Sequence, residues 1–230
     1  DGRKMLNQTE WVLEQAAGQN QTEVTNEFVA SVGTRMVVHY DKGGEAHYDL
    51  ASALIKSIRG SDPDAALYWA ARMLAGGEPP HFIARRLLIS ASEDIGNANP
   101  NALVLANTTF DAVEKLGMPE ARIPLGQCIV YLASSPKSNA SYLAMDAALA
   151  AAEATAQTSV PMHLRNAPTR TMKNLGYGVD YVHPHDFPGH FTPQNYFPDQ
   201  TDLKPFYVPA NNPKEQEFLR YLKFCWPERY

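Results

Sequence analysis

Apolar residues along the middle of the chain recur at the three-to-four-residue spacing of helices, and Gly and Pro cut the pattern into short segments. Leu50, Leu54 and Ile58 mark one helix over about Tyr48–Ile58, stopped at Gly60. Asp62 or Ser61 then caps the next, with Pro63 in the first turn, where no N–H is needed, and Asp64 favourable at the positive end of the helix dipole. It runs through Leu67, Trp69, Ala70 and Met73 to Gly76-Gly77. The same punctuation predicts four more helices. One opens at Pro79-Pro80 and runs towards Gly96; one goes from Asn99-Pro100 to Gly117; one starts at Pro119-Glu120 and passes through Leu132. The last is Ala-rich, over about residues 136 to 156, with Ser135 as its cap. Short loops between such helices predict antiparallel neighbours, hence a mainly α helical-hairpin bundle.

The two ends read differently. Met5, Leu6, Val12, Leu13 and Ala16 predict a helix ending near Gly18, and Thr22 caps a second that carries Phe28, Val29 and Val32. Asp41-Lys42-Gly43-Gly44 then reads as a linker, which divides the chain into residues 1–38 and 39–230. Beyond Ser159, Pro, Gly, His and aromatic residues replace the helical pattern. The expectation is a long loop-rich segment anchored by its aromatics, with a short helix near Thr169–Leu175, extended pieces at Tyr207-Val208 and a last helix over Lys214–Phe224.

Composition narrows the function classes. With 44% hydrophobic and 20% charged residues the 230-residue chain is globular, and its length suffices for a core without disulfides or metal. A net charge of −5 gives no basic excess for a free-standing nucleic-acid binder. Cys128 and Cys225 have no metal-ligand spacing and read as two reduced thiols. No stretch reaches the roughly 18 apolar residues that a membrane span needs. The opening Asp1-Gly2-Arg3-Lys4, without an initiator Met, leads us to expect a piece of a longer protein.

Candidate chemistry is sparse. The G-x-x-x-x-G-K-[ST] phosphate loop is absent, as are G-x-S-x-G, H-E-x-x-H and C-x-x-C. His183, His185, Asp186 and His190 include metal-ligand types, but no fourth ligand has convincing spacing, and hydrogen bonds to backbone account for them more simply. The adjacent Glu93-Asp94 pair points in two directions on a helix, so it makes no acid–base dyad. Pairing with Arg59, Arg85 or Arg86 is the expected role. Arg59, Arg85, Arg86 and Arg165 are the candidate DNA-phosphate or interface cations, against the simpler reading of internal salt bridges. No catalytic or metal residue is assigned.

Several stretches together resemble one family. They are His47 to Trp69; Ala84-Arg85-Arg86-Leu87; Ser92-Glu93-Asp94-Ile95-Gly96-Asn97-Ala98; Pro136-Lys137-Ser138-Asn139; Pro161 to Thr169; Leu175-Gly176-Tyr177-Gly178; and His185-Asp186-Phe187-Pro188-Gly189. The chain resembles the C-terminal half of the replication-associated recombination protein A family (RarA, also called MgsA), AAA+ ATPases of the clamp-loader clade related to a Werner-helicase-interacting ATPase. The resemblance implies a collar-like helical domain that forms homotetramers, in a parent that binds ATP and Mg and acts with DNA at replication forks. It implies replication partners such as single-strand-binding protein, and a cytoplasmic, nucleoid-associated place. Residues 1–38 then correspond to the end of the ATPase lid and 39–230 to the oligomerisation domain. Arg3 matches the lid's nucleotide-sensing arginine, although Gly2 and Met5 stand where the family usually has Ala. The resemblance also implies that this fragment has no ATPase activity or cofactor of its own. The alternative is a helical-repeat interaction scaffold, disfavoured because the hairpins share punctuation but no residue signature.

Overall fold

The structure is a computed structural model, and it describes residues 9, 12–13, 16–18, 21, 23–29, 45–199 and 201–230. Among these the protein is built of helices and irregular segments, with no β-strand. Among the described residues eight α-helices follow Gly44: α1 (Glu45–Arg59), α2 (Pro63–Ala75), α3 (Pro80–Ser90), α4 (Asn101–Leu116), α5 (Arg122–Ser134), α6 (Ala140–Ala154), α7 (Arg170–Asn174) and α8 (Pro213–Cys225). A π-helical turn over Ala91–Ile95 and a 3-10 turn over Gly96–Ala98 extend α3 before the chain turns into α4.

The first five helices form the bundle. α1 packs on α2 and α3 on α4, while α5 touches all four. The buried faces follow from the apolar spacing: Leu54 and Ile58 on α1, Met73 on α2, Ile83 and Leu87 on α3, Leu125, Ile129 and Leu132 on α5 are almost completely excluded from water. Each such side chain contributes about 1.5–3 kcal/mol through burial. Small residues at the contacts, Ala66, Ala84, Ala102 and Ala106, let the helices approach. Ala16 and Phe28, with Val12 against them, form a separate small cluster.

Several ends differ from the sequence expectation, each for a local reason. In the N-terminal segment Thr25 accepts the Phe28 N–H at 3.1 Å, so the cap there is Thr25; Thr22 lies outside the described residues. At the end of α1, Ser61 and not Gly60 takes the left-handed conformation, at φ 61°. The Asp62 N–H reaches back to the Ser57 carbonyl at 3.0 Å, closing the helix, while the Asp62 carboxylate caps α2 through the Ala65 N–H at 2.9 Å. α5 begins at Arg122, after a turn closed by the Ala121 N–H on the Gly117 carbonyl. The Ala-rich helix does not start at Pro136, and Ser135 does not cap it. The Ser135 hydroxyl donates to the Tyr131 carbonyl at 2.8 Å, so it finishes α5, and α6 starts at Ala140.

The loop-rich C-terminal segment is held by its aromatics and by α8. Trp226 takes Phe191 edge-on at 5.2 Å between ring centres, and the Arg229 guanidinium lies 4.3 Å from the Trp226 ring. Asn212 caps α8 by accepting the Glu215 N–H at 3.0 Å. The fully buried Glu215 carboxylate accepts from Asn212 Nδ2 at 2.5 Å and from the Tyr207 hydroxyl at 2.9 Å. That bond, not strand pairing, fixes Tyr207. Cys128 and Cys225 are both free thiols and both buried.

Candidate assembly site

Two stretches far apart in sequence, Glu93 to Asn97 and Pro136 to Asn139, meet where α1, the π turn and the foot of α6 converge. Glu93 and Asp94 lie in the π turn, and the guanidinium of Arg59 reaches both, with a different nitrogen on each. Asp94 is buried, and its carboxylate accepts from Arg59 Nε at 2.5 Å and from the Ser90 hydroxyl at 2.9 Å. Arg59 also reaches Glu93 at 3.1 Å. The Asp94 hydrogen bond, then its charge, hold the Arg59 pKa above the ordinary arginine value. Arg59 is the last residue of α1, so this ion pair ties α1 to the end of α3.

The backbone of the same turn carries the connection to α6. The Ser138 N–H donates to the Asp94 carbonyl at 2.8 Å. Gly96, at φ 48° and ψ −134°, sits so close that a Cβ there would stand 2.8 Å from the Ser138 carbonyl oxygen. Only glycine fits that approach and that conformation. Lys137 closes the arrangement from the other side. Its ammonium donates to the Ala133 carbonyl at 2.9 Å, the Ser135 carbonyl at 2.5 Å and the Ser61 hydroxyl at 3.0 Å. It thereby satisfies the exposed end of α5 and fastens the α1–α2 turn to it. Burial lowers the Lys137 pKa, and the charge of Asp94 partly opposes that.

What this framework holds out is α6. The 15-residue helix packs mainly on the π turn and the 3-10 turn, and only Ala140 is buried. Its sequence ASYLAMDAALAAAEA is apolar almost all round, with Asp146 and Glu153 as its charges. Leu143 is 54% exposed, Met145 60% and Leu149 56%, values of a surface, on a helix composed like a core element. A cleft of about 370 Å³ lies between the foot of α6 and the bundle, lined by Arg59, Glu93, Asp94, Lys137, Asn139 and Tyr142. Arg59 also lines a neighbouring groove along α1 and α3 that holds Tyr48, Ile55, Lys56 and Arg86.

Of the candidate cations, Arg59 makes the ion pair expected for Glu93-Asp94, whereas Arg86 stacks over Phe82 at 5.3 Å and shares the α1–α3 groove with Arg59. Arg85 is exposed on α3. Arg165 is turned inward to its own loop, with Nε on the Val160 carbonyl at 2.6 Å and the guanidinium 5.2 Å from the Tyr177 ring. Arg3 lies outside the described residues. His185 and His190 bring their Nδ1 atoms within 3.2 Å, but no group of three His, Cys, Asp or Glu among the described residues is placed to hold a metal ion. No described helix is long and apolar enough to cross a membrane. Sequence reasoning missed Lys137 and the exposure of α6. The Ala-rich, charge-poor composition of residues 140–154 was the available signal for the second.

Comparison with known proteins gives these features a family. The family model for the MgsA AAA+ ATPase C terminal matches residues 60–226, and that for the AAA C-terminal domain matches residues 1–59. The replication-associated recombination protein A of Coxiella burnetii is 43% identical over 226 residues, 97% of this chain and 51% of that protein. The Escherichia coli K12 protein of the same name is 42% identical over 214 residues, 92% of this chain and 48% of its own length. The ATPase WRNIP1 of Dictyostelium discoideum is 42% identical over 202 residues, 88% of this chain and 22% of that protein. The chain thus spans about half the length of the bacterial relatives it matches. α1 falls within the residues matched by the AAA C-terminal model, yet its side chains lie in one core with α2, α3 and α5. With one family model covering residues 60–226 and relatives alike over nearly the whole length, the chain belongs to the MgsA AAA+ ATPase C-terminal family, that of the replication-associated recombination proteins.

Proposed function

We propose that this chain is the oligomerisation part of an AAA+ ATPase that acts in replication-associated recombination, and that it carries no ATPase chemistry itself. The observation behind the reading is α6: an almost wholly apolar helix buried only at Ala140, half-buried at Ser141, Ala144, Ala148 and Ala151, and exposed over the rest of its length. A helix hydrophobic all round belongs in an interior, and a soluble chain that exposes one gains by covering it with protein. The ion pair of Arg59 with Asp94, the Lys137 clamp and the close approach at Gly96 hold α6 at a fixed place, as a binding element needs.

In this reading the assembled form is a homotetramer. ATP and Mg belong to the ATPase part of the longer relatives, where Arg3 would face the nucleotide phosphates. DNA and replication partners such as single-strand-binding protein meet the whole protein, in the cytoplasm at the nucleoid. Arg85 is the candidate cation most open to a DNA phosphate, since Arg59 and Arg165 are engaged within the chain.

Light scattering at micromolar concentration tests the assembly. The chain is expected to run as a tetramer, and Leu149→Glu, at a position 56% exposed and therefore harmless to the fold, is expected to break it into smaller species. A monomeric wild-type chain would sink the proposal.

A further inference from the structure

The surface around α6 is not uniform in charge. Three hollows are neighbours: the α1–α3 groove and the central cleft share Arg59, and the central cleft and a hollow beside Leu88 and Ile89 share Glu93 and Tyr142. One end of this strip is basic. Lys56 and Arg86 line the α1–α3 groove beside the exposed Tyr48, and among the described residues its lining holds no acidic side chain. Past the other end, where α6 contributes Ser141 and Tyr142, the rest of α6 is acidic, with Asp146 and Glu153 among exposed Leu143, Met145 and Leu149. Asp146 is close enough to raise the Tyr142 pKa through a hydrogen bond and its charge.

Pairing α6 with itself is electrostatically poor in either direction. A parallel pair sets Asp146 against Asp146 and Glu153 against Glu153. An antiparallel pair centred on the apolar stretch sets Asp146 of each copy near Glu153 of the other. Like charges brought together at an interface oppose association, so the partner surface for α6 must be basic as well as apolar.

We propose that α6 of one copy lies in the α1–α3 groove of a second copy, and reciprocally, about a two-fold axis near the Arg59–Glu93–Tyr142 cleft. This rests on the assembly reading above and names its surface. A two-fold axis through the middle of a strip that is basic at one end and acidic at the other sets each end against its opposite, the self-complementarity that an isologous contact requires. Asp146 and Glu153 then face Lys56 and Arg86, while Leu149 and Met145 cover Tyr48 and Ile55. A tetramer follows as a pair of such pairs through a further contact.

The test is charge reversal and its restoration, read by sedimentation at several concentrations with circular dichroism as the check on folding. Lys56→Glu with Arg86→Glu, and separately Asp146→Lys with Glu153→Lys, are each expected to weaken pairing by about tenfold or more, with the effect growing as salt is lowered. The variant carrying all four changes is expected to regain wild-type assembly. If each reversed pair weakens assembly and the four-fold variant does not recover, the proposed docking is wrong. If charge reversal changes nothing while Leu149→Glu still dissociates the chain, the docking is again wrong and the assembly reading stands. A monomeric wild type removes both.

Discussion

Replacing Asp94 by alanine removes the one carboxylate that ties three elements together. Two side-chain hydrogen bonds disappear, from Arg59 Nε at 2.5 Å and from the Ser90 hydroxyl at 2.9 Å. The charge-assisted bond to Arg59 is worth about 1.5–3 kcal/mol, and the buried Ser90, 1% exposed, is left without its acceptor at a cost of about 1–3 kcal/mol. Arg59 keeps half of its side chain in water and can rehydrate, so it adds little further penalty. The sum is about 2.5–6 kcal/mol, which brackets the roughly 3–5 kcal/mol for breaking a buried pair by removing one partner. Arg59→Ala is the informative companion, because it leaves the Asp94 carboxylate buried with only the Ser90 hydroxyl as side-chain partner; about 3 kcal/mol is expected. Glu93→Gln touches only the outer, exposed arm of the same arginine and is expected to cost less than about 1 kcal/mol. Urea unfolding at fixed protein concentration measures all three, and a double-mutant cycle of Arg59→Ala with Asp94→Ala isolates the coupling, expected at about 2 kcal/mol or more. Two results refute the reasoning: Asp94→Ala no more costly than Glu93→Gln, or a strictly additive cycle.

Other consequences follow from the same framework. Gly96→Ala forces a Cβ to within 2.8 Å of the Ser138 carbonyl oxygen at a φ of 48°, so a loss of about 2–3 kcal/mol is expected in urea unfolding, with weaker assembly as α6 shifts. Glycine replaced without either effect would show that the approach is not tight. Lys137→Met keeps the buried stem but orphans the Ala133 and Ser135 carbonyls; a loss of about 1–3 kcal/mol is expected in the same measurement. Burial pushes the Cys128 thiol up to about 11 from an ordinary value of 9.0. The folded state therefore favours the neutral thiol, its contribution is complete below pH 9, and it is lost as pH rises through 11. This shift corresponds to about 3 kcal/mol, visible as a pH slope in wild-type stability that Cys128→Ala lacks. The same burial predicts that a thiol reagent modifies Cys128 only as fast as the chain opens.

Much of this protein was legible in one dimension. The helices from α1 to α5 follow from apolar spacing and from Pro and Gly punctuation, because those rules are local: a cap, a first-turn proline and a 3.6-residue period need only the neighbouring residues. The family resemblance was legible for a related reason, since its long motifs are contiguous. The pairing of Arg59 with Glu93-Asp94 was one of three arginine choices, and packing selected among them. Arg86 turned to Phe82, Arg85 to solvent, and Arg59, at the end of α1, met the π turn.

The tertiary structure alone decided the foot of α6. Ser135 is a good capping residue and Pro136 a good first-turn residue, so local rules start the helix there, yet it starts at Ala140. Residues 135–139 are instead tied elsewhere: Lys137 reaches back to the carbonyls of α5 and across to Ser61, and the Ser138 N–H bonds the Asp94 carbonyl. Likewise an Ala-rich helix is compatible with a buried interior or an exposed face, because composition records what a helix prefers and not what surrounds it. Only the arrangement of the bundle leaves α6 outside, and so turns a stretch that reads as core into a surface for assembly. The chain by itself determined which segments are helical; long-range contacts, whose partners lie dozens of residues away, determined which of them the fold leaves uncovered.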